Sequence, residues 1–273
     1  MPEGPEIRRA ADEVATVLLD QRIVNASFSF PELRRFEPRL RGSRVTVVDT
    51  RGKAMLTRFA NGLTLYSHNQ LYGRWYVVRR GDRPETGRSL RVALHTKTHS
   101  ALLYSASDVA VLTARQLQGH PYLRRLGPDI LDAGLDSASI YARLRQPAFC
   151  GRKLGTLYLD QSFLAGNGNY LRSEVLHAAR LHPAWQPAGL KAPALQRLAR
   201  QTLAVARRSY RSGGITIAQS RIRKLRADGF SPRRFAVFSR EDAPCFCCGD
   251  DIVRQTFAGR RLYFCPTCQP SPQ

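Results

Sequence analysis

The spacing of apolar residues changes along the chain and indicates which elements it forms. From Ile7 to Leu18 apolar residues recur at helical spacing, which predicts a helix over residues 5–19. The next eighty or so residues contain short alternating segments that are rich in β-branched and aromatic side chains, which predicts strands. The predicted strands cover residues 23–30, 43–49, 54–59, 63–68, 75–79 and 90–103. We therefore predict an antiparallel β-sandwich preceded by a helix.

The second half of the chain follows a helical pattern. We predict helices over residues 108–125, 136–145, 154–164, 170–181 and 192–210. Turn-forming residues predict a hinge over 127–135. The stretch 211–234 contains two adjacent glycines and a run of basic residues, and we predict that it is a mobile basic loop. From residue 235 onward, short strands and cysteines predict a small ribbon.

These patterns predict an α+β protein with more than one domain. The expected divisions are 1–126 for the β-sandwich, 127–135 for the hinge, 136–234 for a helical domain that ends in the basic loop, and 235–273 for the ribbon. A length of 273 residues fits about two domains, at roughly 100–200 residues each.

Four cysteines near the C-terminus have the spacing of a metal site. Cys245-x2-Cys248 is followed by Cys265-x2-Cys268, and each pair fits a tight turn that points both sulfurs at one ion. Four buried free cysteines are a poor alternative for this spacing. Cys247 also lies in the first turn, but Cys248 fits the pairing better. Four sulfur ligands leave no open position, so we expect one structural Zn²⁺.

The charge of the chain favours a polyanionic partner. There are 43 basic and 21 acidic residues, which gives a formal net charge of +22. Nucleic acid is the commonest such partner. An acidic membrane is the alternative, but it would usually require a basic amphipathic helix or a lipidation signal, and the sequence has neither. We find no membrane-spanning run and no signal peptide, so we expect a cytoplasmic protein.

Two segments could carry chemistry or bind phosphate. Removal of Met1 would leave Pro2 as a secondary amine beside Glu3, and an α-amino group with a pKa of about 7.7–8.0 is partly neutral and nucleophilic at neutral pH. The alternative is that proline simply starts the first helix. The glycine-rich turn Gly166-Asn167-Gly168-Asn169 precedes a helix whose first amides could bind a phosphate, although such a turn is also an ordinary helix connection.

Together these segments resemble the formamidopyrimidine-DNA glycosylase and endonuclease VIII family of bifunctional DNA repair enzymes. The matching features, in the order of the family, are Pro2-Glu3, Arg51-Gly52-Lys53, the turn from Gly166 to Asn169 and the four-cysteine ribbon. The segments MPEGPEIRRAAD and LYSHNQLYG are most similar to the endonuclease VIII branch. The resemblance implies a catalytic β-sandwich over 1–126, a helix–two-turn–helix DNA-binding domain and a zinc finger.

The resemblance also implies roles for individual residues. Pro2 matches the nucleophile that attacks C1′ of the damaged nucleotide, and Glu3 matches the general acid that protonates the sugar ring oxygen. Lys53 matches the lysine that assists base loss and elimination, and Glu6 is expected to help position water or protons. Arg260 matches a phosphate-binding arginine of the ribbon, although Arg261 beside it departs from the usual small residue.

Further residues are expected to contact DNA. Asn169 and His68 match phosphate-contacting positions of the family. Gln70, Leu71 and Tyr72 lie between two predicted strands, so we expect a protruding hairpin tip that fills the space left by the flipped base. The alternative is a tip that folds back onto the sheet.

We expect a bifunctional DNA glycosylase and abasic-site lyase that excises oxidised pyrimidines through a proline Schiff base and cleaves the strand by β,δ-elimination. The expected partner is double-stranded DNA with damaged bases or abasic sites, bound by a monomer in the bacterial nucleoid. Two alternatives stay open at this point. One is an oxidised-purine glycosylase of the same family, and the other is a non-enzymatic zinc-ribbon DNA-binding protein.

Overall fold

The computed structural model describes residues 2–232 and 234–272 and contains two compact units. The first unit comprises Pro2 with Glu6–Arg125, and the second comprises Glu3–Pro5 with the described residues from Leu126 onward. Met1, whose removal the proline amine requires, lies outside the described residues. Within the described part of the chain, no helix combines the length and apolar character needed to cross a membrane.

The first unit is an antiparallel β-sandwich with short helices. Its elements are α1 Gly4–Leu18, β1 Asn25–Phe28, a 3₁₀ turn Pro31–Phe36, α2 Glu37–Leu40, β2 Val45–Arg51, β3 Ala54–Phe59, β4 Leu63–His68, β5 Arg74–Arg79, β6 Leu90–His95, β7 His99–Tyr104, β8 Asp108–Thr113, α3 Ala114–Gln118 and α4 Pro121–Arg124. One sheet has the strand order β2-β3-β4-β8, and the other has the order β1-β6-β7-β5.

A single apolar core joins the two sheets and α1. Met55 and Leu65 from one sheet share this core with Leu94 and Leu103 from the other. The helical spacing of apolar residues in α1 places Val14 in the same core, fully buried. The predicted helix and antiparallel β-sandwich are therefore confirmed.

Two of the predicted helix and strand ranges in this unit are wrong. Residues 108–113 form strand β8 rather than the start of a helix, and only α3 and α4 are helical in the stretch we predicted. Val111 faces the sandwich core while Leu112 faces α3 and α4, so both faces of β8 are covered and its period of two is hard to recognise. The predicted strand 90–103 is two strands, β6 and β7, because a turn at Thr96 separates them.

The second unit is mainly helical. Its elements are α5 Ser137–Leu144, α6 Pro147–Cys150, α7 Leu154–Leu157, α8 Asn169–Ala178, a 3₁₀ turn Pro187–Gly189, α9 Ala192–Arg211, α10 Gln219–Ala227 and the antiparallel hairpin β9 Val253–Phe257 with β10 Arg260–Phe264. One core packs α5 to α9 together with Leu262 and Phe264 of β10. Every residue of α8 from Tyr170 to His177 is buried.

The predictions for two segments of this unit need correction. Only Leu154–Leu157 of the predicted helix 154–164 is helical, because the side chain of Asp160 accepts the Ser162 amide at 2.7 Å and stabilises a turn instead. The basic stretch predicted as a loop contains α10. Its helical signal consists of only two apolar residues among basic ones, since Ile222 and Leu225 are the residues that α10 buries.

Candidate active site and metal centre

Glu3 is held at the start of α8 by both of its carboxylate oxygens. The amide of Tyr170 donates to Oε1 at 2.8 Å, and the amide of Leu171 donates to Oε2 at 3.2 Å. Glu3 is only 3% exposed. A helix N-terminus stabilises a negative charge through its unpaired amides and its dipole. The chain therefore fixes a buried carboxylate one residue after Pro2. Pro2 itself is half-buried.

The glycine-rich turn makes room for this N-terminal segment. The amide of Gly4 donates to the carbonyl of Gly166 at 2.7 Å, and a Cβ on Gly4 would lie 3.0 Å from the Cα of Gly166. A Cβ on Gly168 would lie 2.3 Å from the carboxyl carbon of Glu3. Gly166 itself has φ of +89°, which favours glycine. The sequence predicted that these amides bind a phosphate, but the Tyr170 and Leu171 amides bind Glu3 instead.

Asn169 lies beside Glu3 at the first position of α8 and is half-buried. Its side-chain oxygen Oδ1 accepts from Nη2 of Arg172 at 2.6 Å. Arg172 is fully buried, and burial lowers its pKa to about 10, a shift that Glu3 opposes and Arg260 enhances. Asn169 therefore bonds to a buried guanidinium whose pKa also depends on the charges of Glu3 and Arg260. Nothing in the sequence pattern distinguished Arg172 from the many surface arginines.

Arg260 and Arg261 begin β10, and both are exposed. Of these two arginines, Arg260 is the one whose charge lowers the pKa of Arg172.

Lys53 occupies the tight turn between β2 and β3. Arg51 pairs with Ala54, and Gly52 has φ of +61°, so the turn consists of Gly52 and Lys53. The Lys53 amide donates to the hydroxyl of Tyr122 at 3.1 Å. Sequence reasoning missed Tyr122, which follows β8 within the stretch predicted as one helix. Glu6, the fourth predicted catalytic residue, is half-buried in the first turn of α1.

His68 lies near Lys53 at the end of β4. Its ring packs edge-on against Tyr122, with centroids 5.1 Å apart, and its Nδ1 accepts the amide of Gln70 at 3.2 Å. Burial lowers the pKa of His68, Lys53 lowers it further, and Asp108 opposes the shift. The imidazole is therefore neutral at pH 7 and can still donate from Nε2 when Nδ1 accepts.

The turn that carries Gln70, Leu71 and Tyr72 is exposed but is not a hairpin tip. It connects β4 of one sheet with β5 of the other, so the predicted hairpin is wrong. Leu71 is 54% exposed and Tyr72 is 67% exposed, and the Gln70 side chain accepts the Ser107 hydroxyl at 2.9 Å. The predicted protrusion of apolar side chains is therefore present, on an inter-sheet connection.

Glu174 is a second buried carboxylate that sequence reasoning missed. It accepts the Thr216 hydroxyl and the amides of Ala236, Val237 and Phe238, the last three at 2.8, 2.8 and 2.9 Å. These bonds connect Glu174 of α8 to the residues before α10 and to the residues after it. A buried charge with this many donors is satisfied, which explains how a glutamate is tolerated in a fully buried helix.

The four predicted metal-binding cysteines lie together. The sulfur atoms of Cys245, Cys248, Cys265 and Cys268 are all within 4.8 Å of one another, and two of the sulfur pairs are 3.9 and 3.4 Å apart. Tetrahedral zinc with bonds of about 2.3 Å places its sulfurs about 3.8 Å apart, so the cluster fits a metal ion of this kind. His177 of α8 lies with its Nε2 atom 3.7 Å from the sulfur of Cys245. His177 lies eight residues after Asn169 in α8, so the cysteine cluster is about 12 Å along this helix from Asn169.

Comparisons with known proteins show which family the chain resembles. The model of the formamidopyrimidine-DNA glycosylase N-terminal domain matches residues 1–108, and that of the formamidopyrimidine-DNA glycosylase H2TH domain matches residues 126–221. Relatives named Endonuclease 8 from Enterobacter sp. (strain 638) and Escherichia coli are 46% and 47% identical over 269 residues, which is 98% of this chain and 100% of each relative.

Solved structures agree on the fold. Lactococcus lactis Fpg in complex with DNA containing an abasic site covers 98% of this chain, with a TM-score of 0.80 and 20% identity. The same enzyme in complex with DNA containing an oxidised pyrimidine covers 99% of this chain, with a TM-score of 0.80 and 19% identity. Both structures are matched over 100% of their own length. The chain therefore belongs to the formamidopyrimidine-DNA glycosylase family and is, like its members, a DNA glycosylase and abasic-site lyase of base excision repair.

Proposed function

We propose that this enzyme removes oxidised pyrimidines from double-stranded DNA, using the amine of Pro2 as its nucleophile. The observation that carries the assignment of Pro2 is the fixed position of Glu3 on the first amides of α8, whereas the choice of oxidised pyrimidines rests on the resemblance to the endonuclease VIII branch. Because Pro2 directly precedes Glu3, its amine would be held beside a buried carboxylate once Met1 is removed. A positioned nucleophile next to an acid is the arrangement that covalent base excision requires.

The reaction would proceed in two stages. The amine of Pro2 attacks C1′, and the damaged base leaves with the electron pair of the glycosidic bond. Glu3 takes up the proton that the amine loses and, as general acid, passes it to the sugar ring oxygen as the ring opens to an iminium ion. Loss of a proton from C2′ then expels the 3′ phosphate, and a second elimination expels the 5′ phosphate. Lys53 would assist base loss and elimination, and Glu6 would help to position water or protons.

Residues of both units would bind DNA. Asn169 and Arg260 would bind phosphate beside Glu3, and His68 would bind phosphate in the first unit. Leu71, with Gln70 and Tyr72, would fill the space that the flipped nucleotide leaves. Flipping a nucleotide out of the duplex costs a few kcal/mol of lost stacking.

We also propose that the metal of the four-cysteine cluster is Zn²⁺ and that the enzyme acts as a monomer on cytoplasmic DNA. Four thiolates would saturate a tetrahedral ion, which when bound would cross-link the two cysteine turns. The cysteines then hold the hairpin of β9 and β10, and with it Arg260, against α8.

Borohydride trapping on abasic DNA tests the nucleophile. Protein that has lost Met1 should be reduced to a stable adduct with DNA, whereas protein that retains Met1 should not. Equal trapping of the two forms would disprove the role of Pro2. A panel of duplexes with one oxidised base each tests the lesion class. Faster excision of oxidised purines than of oxidised pyrimidines would establish the purine alternative.

A further inference from the structure

Arg172 is a buried arginine that contacts two elements proposed to bind DNA. Its Nη1 donates to the carbonyl of Gly155 at 2.6 Å and to that of Phe257 at 3.3 Å. Its Nη2 donates to Oδ1 of Asn169 at 2.6 Å and to two carbonyls of β10, those of Arg260 and Arg261, at 3.4 and 3.1 Å. One side chain therefore joins the first residue of α8 to the ribbon hairpin.

The bond to Asn169 decides which way that amide points. An asparagine side chain has one oxygen that accepts and one nitrogen that donates. Because the guanidinium of Arg172 can only donate, it must face Oδ1 of Asn169, and Nδ2 must face the opposite direction. A phosphate accepts hydrogen bonds and would be repelled by Oδ1, so only this orientation suits a phosphate.

We propose that Arg172 is a positioning residue that fixes the Asn169 amide with its NH₂ group toward a DNA phosphate and holds the Arg260 hairpin in register with it. The inference rests on the proposed roles of Asn169 and Arg260. Arg172 itself is 0% exposed, so it acts through Asn169 rather than by contact with DNA.

Packing alone does not account for an arginine at this position. Among the described residues, Nε of Arg172 has no hydrogen-bond partner although it is buried. A buried charge with an unsatisfied donor is unfavourable, and well-packed apolar side chains often replace buried charges without loss of stability. The rigid fork of a guanidinium, however, can bind several acceptors at fixed angles, which neither an apolar side chain nor a lysine can do.

A double-mutant cycle on DNA affinity tests the coupling between Arg172 and Asn169. The ligand is a duplex with a tetrahydrofuran abasic analogue, so that binding is measured without chemistry. Arg172→Met and Asn169→Ala should each raise the Kd by about tenfold, as expected for a lost charge-assisted contact. The double variant should bind less than about threefold more weakly than the weaker-binding single variant, because loss of Arg172 already removes the contact that Asn169 makes with the phosphate. Additive losses would overturn the proposal.

Arg197→Met provides the matched control. Arg197 also donates to a backbone carbonyl, that of Ala179 at 2.8 Å, but it has no bond to Asn169. Its effect on Kd should be small and additive with Asn169→Ala. Coupling of the same size in this control would overturn the specific role of Arg172.

Two further variants separate positioning from charge and folding. Arg172→Lys keeps the charge but loses the fork, so its affinity should fall as for Arg172→Met, and wild-type affinity would overturn the proposal. Asn169→Asp keeps an acceptor for Arg172 and should remain folded, but it lacks the NH₂ group and should bind no better than Asn169→Ala. Wild-type affinity of Asn169→Asp would also overturn it. Borohydride trapping reports the Pro2 chemistry separately, so failure of the proposed function and failure of this inference are distinguishable.

Discussion

Replacing Gly168 with alanine should displace Glu3 and so reduce base excision. A Cβ on Gly168 would lie 2.3 Å from Cδ, 2.5 Å from Oε1 and 2.7 Å from Cγ of Glu3. Carbon atoms in contact are normally about 3.5–4.0 Å apart, so the carboxyl group must retreat by roughly 1 Å or more. The backbone of Gly168, with φ of −151°, suits alanine, so the effect comes from this contact alone.

The expected loss follows from the size of this movement. A retreat of that size breaks the bond of 2.8 Å from the Tyr170 amide to Glu3. Misplacing a catalytic group by about 1 Å can cost about 10²-fold in rate. General acid catalysis contributes about 10²–10⁴-fold, which sets the upper limit. The cost of overpacking, about 1–3 kcal/mol, should leave the protein folded.

Single-turnover excision from a duplex with one oxidised pyrimidine measures the effect, and strand cleavage of an abasic duplex is the companion assay. Abasic DNA has already lost its base, so cleavage should fall less than excision. Gly151→Ala is the control, because no atom lies within 4 Å of its Cβ and its φ is −88°. Wild-type excision by folded Gly168→Ala protein, or an equal loss in the control, would refute the proposed constraint on Glu3.

Three further predictions concern DNA contacts and pH. Chelation of the metal should abolish duplex binding, and Arg260→Ala should weaken it and reduce the salt slope by about one phosphate contact, whereas Arg261→Ala should leave the slope unchanged. Titrations at several salt concentrations check this, and normal binding by chelated protein would contradict it. Leu71→Ala should slow excision from paired duplex while sparing single-stranded or mispaired substrate, and equal slowing in a rate comparison would mean that the turn is structural. Burial lowers the pKa of His68, so the unfolded state binds its proton first and the free energy of unfolding should decrease as the pH falls below about 6.5. Urea unfolding measures this decrease, which should be smaller in His68→Asn, and an unchanged decrease would contradict the assignment.

Local chemistry made part of the site predictable from the sequence. The two cysteine pairs are each defined by a few adjacent residues, and the structure brings their four sulfur atoms together. The start of α8 was also recognised as an anion site. Its anion, however, is the chain's own Glu3, which lies 167 residues from Tyr170, and no local pattern indicates a pairing over that distance.

Other parts of the structure depend on tertiary packing that the sequence does not display. Strand β8 is covered on both faces, which hid its alternation and with it the environment of Tyr122. The turn at Leu71 joins two sheets, and adjacency in sequence was mistaken for pairing in space. Arg172 differs from the exposed arginines only by its burial, which composition cannot reveal.

The distance in sequence between Glu3 and α8 also sets the order of events during synthesis. The carboxylate leaves the ribosome long before its partners, the amides of Tyr170 and Leu171, which follow 167 and 168 residues later. At about 5–20 residues per second, this interval lasts roughly 10–30 seconds. Throughout it Glu3 has no helix start to bind, so the bond before Pro2 would be accessible to an enzyme that removes Met1. Translation itself thus provides the time in which the proposed proline amine is exposed before the carboxylate is sequestered.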